Sequence, residues 1–417
     1  MTNFKPTGVI WAGPVYDIGG YGNVSRNYIK GIIRMGIALR ILNLGRVCSE
    51  IGKDNIKFLD SLTNTYTGSR PILIIHHIPP LFNSLKVLGV YKRIGCTIFE
   101  TDKIPKDWVE PCNRMDEIWV PSHFNLKTFS RSGVQEEKIK VVPYAVDTNI
   151  FNPKVKPLLV PNLKKFKFLY VFNYSYRKTP EVLLEAYLKE FRKDEDVCLI
   201  LKSINTDYPN LEFNINNIKK VVAKIGKSRN KLPQVHLINS PSYIGELASL
   251  YKTIDCYISV DRANGWGMPC MEVMATHKPA ATVNWSGSTE FMKKNNSFLI
   301  FPKRLVAVDK KTSKMNSIYS GQKWADIDID TLRKLLRYIY QNKDKRIEIA
   351  RNGYNTIVNN FSIEAISQLT AVQLGFSRTK FYNQLLYYIN IVFDIRRNGI
   401  KKLVLRAFRN IKKNILQ

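Results

Sequence analysis

"FNPKVKPLLVPNLKK" occupies residues 151–165. It carries three prolines and no apolar repeat of helical or strand period, so it reads as a linker. What flanks it decides the fold. Upstream, "GVIWAG" (8–13), "ALRILNL" (38–44), "ILIIHHI" (72–78), "CTIFE" (96–100) and "EIWVPS" (117–122) are short apolar runs, each followed by loop or amphipathic residues. Downstream the same alternation restarts with "FKFLYVFN" (166–173) and the helical "TPEVLLEAYLKEFRK" (179–193). It continues through "VCLILKS" (197–203), "VHLIN" (235–239), "DCYISV" (255–260), "KPAATVN" (278–284) and "SFLIF" (297–301). Continuous apolar strands alternating with helices are the pattern of a parallel sheet covered on both faces. The expected fold is α/β, with two tandem Rossmann-like doubly wound domains facing each other across a cleft. They span 1–152 and 166–370, joined by the linker 153–165 and followed by a helical extension, 371–417. In such sheets ligands bind at the carboxyl ends of strands.

Composition narrows the partners. The chain has 417 residues, 45% of them apolar, enough for two cores. Lys and Arg number 64 against 34 Asp and Glu, a formal charge of +30 that points to anionic partners. The six cysteines show no CxxC pair, which argues for reduced buried thiols in a cytosolic protein rather than zinc or disulfides. No metal site is expected. The N-terminus lacks an apolar run long enough for a signal peptide, and no stretch reaches the ~20 apolar residues of a membrane span. From Arg396 to Gln417 there are eight basic residues and no acidic ones, around an apolar stripe of Ile400, Leu403, Val404, Ala407, Phe408, Ile411 and Ile415. That pattern suits an interfacial helix on an anionic membrane surface, and the expected location is cytoplasmic, peripheral on the inner face of a membrane. Nucleic acid is not an expected partner, because no reader motif or interleaved aromatic platform accompanies the charge.

Several segments together resemble the family 4 glycosyltransferases, retaining enzymes of GT-B fold. "GWGMPCMEVMA" (265–275) is similar to the family's acidic-Gly-aromatic-Gly-x-Pro-x-x-Glu segment, and "LASLYKTIDCYISVDR" (247–262) to its lead-in. "KIKVVPYAVDTNIFNP" (138–153) resembles the family's domain-closing strand, and "EIWVPSHFNLKTF" (117–129) the strand and helix before it. "IFETDKIPKDWVE" (98–110) looks like a mannosyltransferase-leaning branch. The resemblance runs from about residue 8 to 370. It implies an N-terminal acceptor domain, a C-terminal donor domain, and a nucleotide-diphosphate sugar as co-substrate without a further cofactor.

It also implies roles for single residues. Glu272 would hold the ribose hydroxyls of the donor, and a carboxylate can accept from two vicinal hydroxyls at once. We expect Glu272 on the first turn of its helix, with Pro269 there too and the loop Gly265, Trp266, Gly267, Met268 presenting N–H groups to a pyrophosphate. The family's acidic residue eight positions before Glu272 is Asn264 here, with Asp261 a nearby substitute. Lys178 matches the family's phosphate-gripping lysine. The family's arginine is replaced by Asn173, and Arg177 offers a guanidinium beside it. Gly19 and Gly20 form an active-site loop after the first strand. His77, at the end of a strand, stands near the transferred sugar, with His76 beside it. Ser286, Gly287 and Ser288 form a second donor loop. Glu100 and Asp102 lie on the acceptor side. Catalytic work falls to His77, Lys178 and Arg177. The implied function is transfer of mannose or a similar hexose, with retention, to a glycan or lipid-linked acceptor. Two other readings remain open: a pseudoenzyme that binds nucleotide sugars, and a basic nucleic-acid-binding protein.

Overall fold

The computed structural model describes residues 5–376 other than 174, 204–210, 227–230 and 240–243. The first domain holds β1 (Val9–Gly13), β2 (Leu39–Asn43), β3 (Ile72–His76), β4 (Lys92–Cys96), β5 (Glu117–Val120) and β6 (Ile139–Val141). They form one parallel sheet in the order β2-β1-β3-β4-β5-β6. The second domain holds β7 (Phe166–Phe172), β8 (Val197–Ser203), β9 (Gln234–Asn239), β10 (Cys256–Ile258), β11 (Ala280–Val283) and β12 (Phe298–Ile300), ordered β12-β11-β10-β7-β8-β9. The expected pair of doubly wound α/β domains is present. Strands such as β3 and β8 are buried along their whole length, which is why their sequence is continuously apolar rather than alternating.

Each sheet reverses direction once. The chain steps from β1 to β2 on one side and then to β3 on the other. It does the same at β7, stepping to β8 and β9 and then to β10 across β7. The crevices where strand order reverses lie beyond the carboxyl ends of β1 and β3, and of β7 and β10. The glycine turn and histidines follow the first pair. The basic turn and the GWG loop follow the second.

Three expectations change. "CTIFE" is not a strand: β4 ends at Cys96, and residues 97–100 leave the sheet toward the second domain. The strand was misplaced because it opens on Lys92 and Arg93, whose polarity hides it. Helix dominates already from Ile329, ahead of the extension expected from 371, in Ile329–Gln341, Lys343–Asn360 and Ile363–Gln373. Between β12 and these helices lies an insert the sequence did not reveal, an antiparallel hairpin of β13 (Arg304–Ala307) and β14 (Lys323–Asp326) around the short helix Lys310–Met315.

The last described helix, Ile363–Gln373, returns to the first domain. Val146 and Ser362 form a bridge, and Ile363 N–H donates to Val146 O at 3.2 Å. A Cβ on Gly31 would meet Ser367 Cβ at 3.0 Å, so this helix sits tight on Gly20–Arg34. Among the described residues no helix is long and apolar enough to cross a membrane. The basic segment 396–417 lies outside the described residues. Of the six free cysteines, five are buried and Cys48 is half-buried.

Candidate active site

The GWG loop is held by close backbone contact. Gly267, at φ +101°, starts the helix Met268–Ala275 from the left-handed region, where a side chain would be strained. A Cβ on Gly287 would lie 1.6 Å from Gly265 O, so the two donor loops nest backbone against backbone. Gly287 N–H donates to Asn264 O at 2.8 Å. A Cβ on Gly265 would meet Ile98 of the first domain at 2.6 Å, which makes this loop part of the domain contact. The Ser286 hydroxyl is buried and lies 2.6 Å from Glu100 O and 2.8 Å from Asn264 O. It ties the loops together and is not presented to a sugar. Ser288 is also buried, its hydroxyl 3.2 Å from that of Thr282. Trp266 is 2% exposed, packed on Tyr144, Phe291 and Phe361, with its indole N–H unpartnered. Asn264 and Met268 are half-buried.

Glu272 is the fifth residue of its helix and so lies on the second turn, not the first. It is too deep in the helix to offset the dipole at the N-terminus. It is 4% exposed. Tyr251 O–H donates to Oε2 at 3.1 Å, and Asn23 Nδ2 of the first domain stands 3.5 Å from Oε1. Burial pushes its carboxyl up to about 7, against the smaller opposing effect of the Tyr251 hydrogen bond.

The basic turn after β7 places its two cations differently. Lys178 Nζ lies 2.5 Å from Asp261 Oδ2, and Tyr170 O–H donates to Asp261 Oδ1. Asp261 is thus a buried partner of Lys178 rather than a substitute for Asn264. Burial, with the Arg177 charge, lowers the Lys178 ammonium below its usual range, and Asp261 opposes this. Arg177 bridges the domains. Its NH2 is 3.2 Å from Glu100 Oε1 and its NH1 donates to Ala263 O at 3.1 Å. Burial works against its charge, but Glu100, then Tyr319 and Asp261, outweigh that and hold it above its usual value. Asn173 is exposed. Thr179 follows at φ +41°, its hydroxyl donating to Val260 O at 2.8 Å, and Pro180 opens the next helix.

In the first domain, Gly19 precedes the helix and Gly20 begins it, with open space around a Cβ at Gly20. The glycine this turn requires is Gly22, where a Cβ would lie 2.0 Å from Asp17 O. His76 is fully buried, its Nδ1 2.8 Å from Ser25 Oγ and its ring against Tyr21 and Trp11. Burial, then His77, lowers it to about 3. It is neutral at any working pH and walled off from an acceptor, which corrects its acceptor-side assignment. His77 is half-buried, accepts at Nδ1 from Ile78 N–H at 2.9 Å, and is lowered by burial. It therefore keeps Nε2 as the proton-bearing nitrogen in its neutral form.

Glu100 and Asp102 face the second domain. Besides Arg177, Glu100 has Tyr319 O–H at 3.4 Å from Oε2. Asp102 Oδ1 accepts from Lys323 N–H at 2.6 Å. Asn23, Tyr251, Tyr319 and Gln322 were missed. Each lies far in sequence from its partner, and no local pattern marks it.

Residues 153–326 match the sequence profile of the family Glycosyl transferases group 1. A search of curated proteins finds no relative. Among solved structures the chain is similar to Anabaena HepE in complex with UDP and glucose, at 14% identity and TM-score 0.61, over 88% of this chain and 99% of that one. It is also similar to a glycosyltransferase from Rickettsia africae, at 17% identity and TM-score 0.61, over 88% and 98%. A third likeness is to sucrose-phosphate synthase from Thermosynechococcus elongatus, at 13% identity and TM-score 0.62, over 91% and 99%. At these identities the likeness is one of fold, the two-domain GT-B architecture.

Proposed function

We propose, from the match of residues 153–326 to the Glycosyl transferases group 1 profile and the two-domain GT-B fold, that this chain transfers a hexose from a nucleotide-diphosphate sugar to a glycan or lipid-linked acceptor. The proposed reaction retains anomeric configuration, in the manner of family 4, and mannose or a similar hexose is the proposed sugar. The observation that carries the reading is the convergence at the second switch point. A basic turn after β7 and a glycine loop after β10 meet there, with the buried Glu272 carboxylate behind the loop. Nucleotides held by HepE in its complexes give the same fold a precedent for such a ligand.

Glu272 takes the ribose hydroxyls. Lys178, Arg177 and the N–H groups at the start of Met268–Ala275 take the diphosphate. The acceptor hydroxyl attacks the anomeric carbon from the face the diphosphate leaves, and a departing phosphate oxygen receives the hydroxyl proton. The protein contributes by holding the reactants together and by offsetting phosphate charge as it develops. His77, beside the glycine turn after β1, orients the sugar. No metal and no further cofactor enter this scheme.

The test is turnover. The purified chain is incubated with UDP-, GDP- and ADP-hexoses and a set of sugar and lipid-linked acceptors in excess chelator. We expect one donor to be consumed with retention and without loss in chelator. An absolute need for manganese removes the metal-free scheme. Nucleotide binding without turnover favours the pseudoenzyme reading, which the replacements Asn264 and Asn173 motivate.

A further inference from the structure

Arg177 and Lys178 are neighbours, yet their supports differ. Lys178 is aimed from within its own domain, by Asp261 at 2.5 Å. Arg177 is aimed from outside it, by Glu100 on the first-domain segment that leaves β4. The Glu100 carboxylate is in turn met by Tyr319, whose hydroxyl stands 3.4 Å from the second oxygen. Tyr319 lies on the insert between β13 and β14, which belongs to the second domain but docks on the first. Ile318 and Tyr319 pack against the first-domain core, and the Tyr319 ring lies 5.9 Å from that of Phe99. Gln322 is 3% exposed and accepts from the Thr101 hydroxyl, while the next residue, Lys323, donates its N–H to Asp102. The insert thus grips consecutive first-domain residues, Thr101 and Asp102, directly beyond Glu100.

We propose that the insert is a working part of the donor site, in which Tyr319 and Glu100 are positioning residues that aim the Arg177 guanidinium at the diphosphate only when the two domains are closed. This rests on the reading that the basic turn binds a diphosphate. A guanidinium has five donors in a fixed fork. Glu100 and Ala263 O, with Tyr319 beside them, fix its plane, and we assign donors of the fork to an anion. Opening the domains withdraws Glu100 from both Arg177 and Tyr319 and releases that plane, whereas Lys178 stays on Asp261. A nucleotide therefore meets one preset cation in the open form and two in the closed form.

The experiment is calorimetric titration of the full chain with UDP, GDP, ADP, inorganic pyrophosphate and the matching nucleosides. The variants are Tyr319→Phe, Glu100→Gln, Arg177→Ala and the two doubles with Arg177→Ala. Tyr319→Phe removes one hydroxyl and keeps the ring that packs on Phe99, so it tests the idea even where Glu100→Gln folds poorly. We expect Arg177→Ala to weaken the diphosphate about 10-fold or more, and Tyr319→Phe and Glu100→Gln each about 3- to 10-fold, with nucleoside binding unmoved. In the Arg177→Ala background neither second change adds to the loss. Losses that add, losses shared equally by nucleoside and diphosphate, or affinities equal to or tighter than those of the unaltered chain overturn the proposal. If the unaltered chain binds none of these diphosphates, the reading beneath the proposal falls, and the proposal falls with it.

Discussion

Glu272 shows how a single residue ties pH to ligand. Its carboxyl is raised to about 7 because it is buried, so between its ordinary value and about 7 the folded chain binds a proton that the unfolded chain releases. The sign follows. Without ligand, this group's contribution to stability is greatest below the ordinary carboxylate range and falls as pH rises through the window, by up to roughly 3 kcal/mol, then levels off. Holding vicinal hydroxyls needs the ionised form, so donor affinity rises over the same window. A sugar nucleotide is the suitable probe, because its phosphates carry no proton there. Titrated from pH 5.5 to 8.5, the unaltered chain is predicted to tighten toward pH 8, while Glu272→Gln binds about 10-fold more weakly and with a flat profile. Identical slopes for the two chains would contradict the assignment. His76 makes the opposite case. Sequence placed two histidines at a strand end, but only burial separates them: His76 turns inward against Ser25, and His77, the next residue, is half-buried.

At the scale of elements, legibility follows the periodicity. Parallel strands buried on both faces announce themselves as apolar runs, and most were placed correctly. β4 was shifted because Lys92 and Arg93 open it. The hairpin of β13 and β14 was missed because β13 is exposed along most of its length. Its inner residues, Val308 and Trp324, pack on Ala263 and the donor loops rather than on a sheet of their own. The glycine loops were legible as loops, but not the reason for each glycine. Gly287 is required by Gly265 O and Gly22 by Asp17 O, close approaches that no sequence pattern encodes. The element still argued from sequence alone is 396–417, where cations surround an apolar stripe. We propose that it holds the protein on an anionic membrane surface, peripheral to the cytoplasmic face. Sedimentation with anionic phospholipid vesicles is the check. Deleting 396–417 is predicted to abolish binding, and binding that persists unchanged would exclude this segment as the anchor.

At the scale of the molecule, the two domains meet through apolar packing, as of Trp266 on Tyr144 and Phe124 on Trp285, and through polar contacts set at the cleft. Glu100 reaches Arg177, Asp102 reaches Lys323, Asn23 approaches Glu272, and the His123 N–H and ring nitrogen reach Glu290 at 2.9 and 2.8 Å. Contacts of this kind are weaker than core packing and suit a joint that opens to admit a substrate. The helix Ile363–Gln373 crosses back to the first domain through the bridge at Val146 and Ser362. The sequence announced two domains and a cleft. It did not announce which residues close that cleft, because every such pair joins segments that only the tertiary fold brings together. The central claim is that the closed cleft holds a nucleotide with its diphosphate on the basic turn and its ribose on Glu272. A crystal structure of the full chain with a nucleoside diphosphate, UDP first, tests this most directly. The account predicts phosphate oxygens within hydrogen-bond reach of Lys178 and Arg177, and both ribose hydroxyls on the Glu272 carboxylate. A nucleotide lodged outside the cleft, or one inside it whose ribose points away from Glu272, would contradict it.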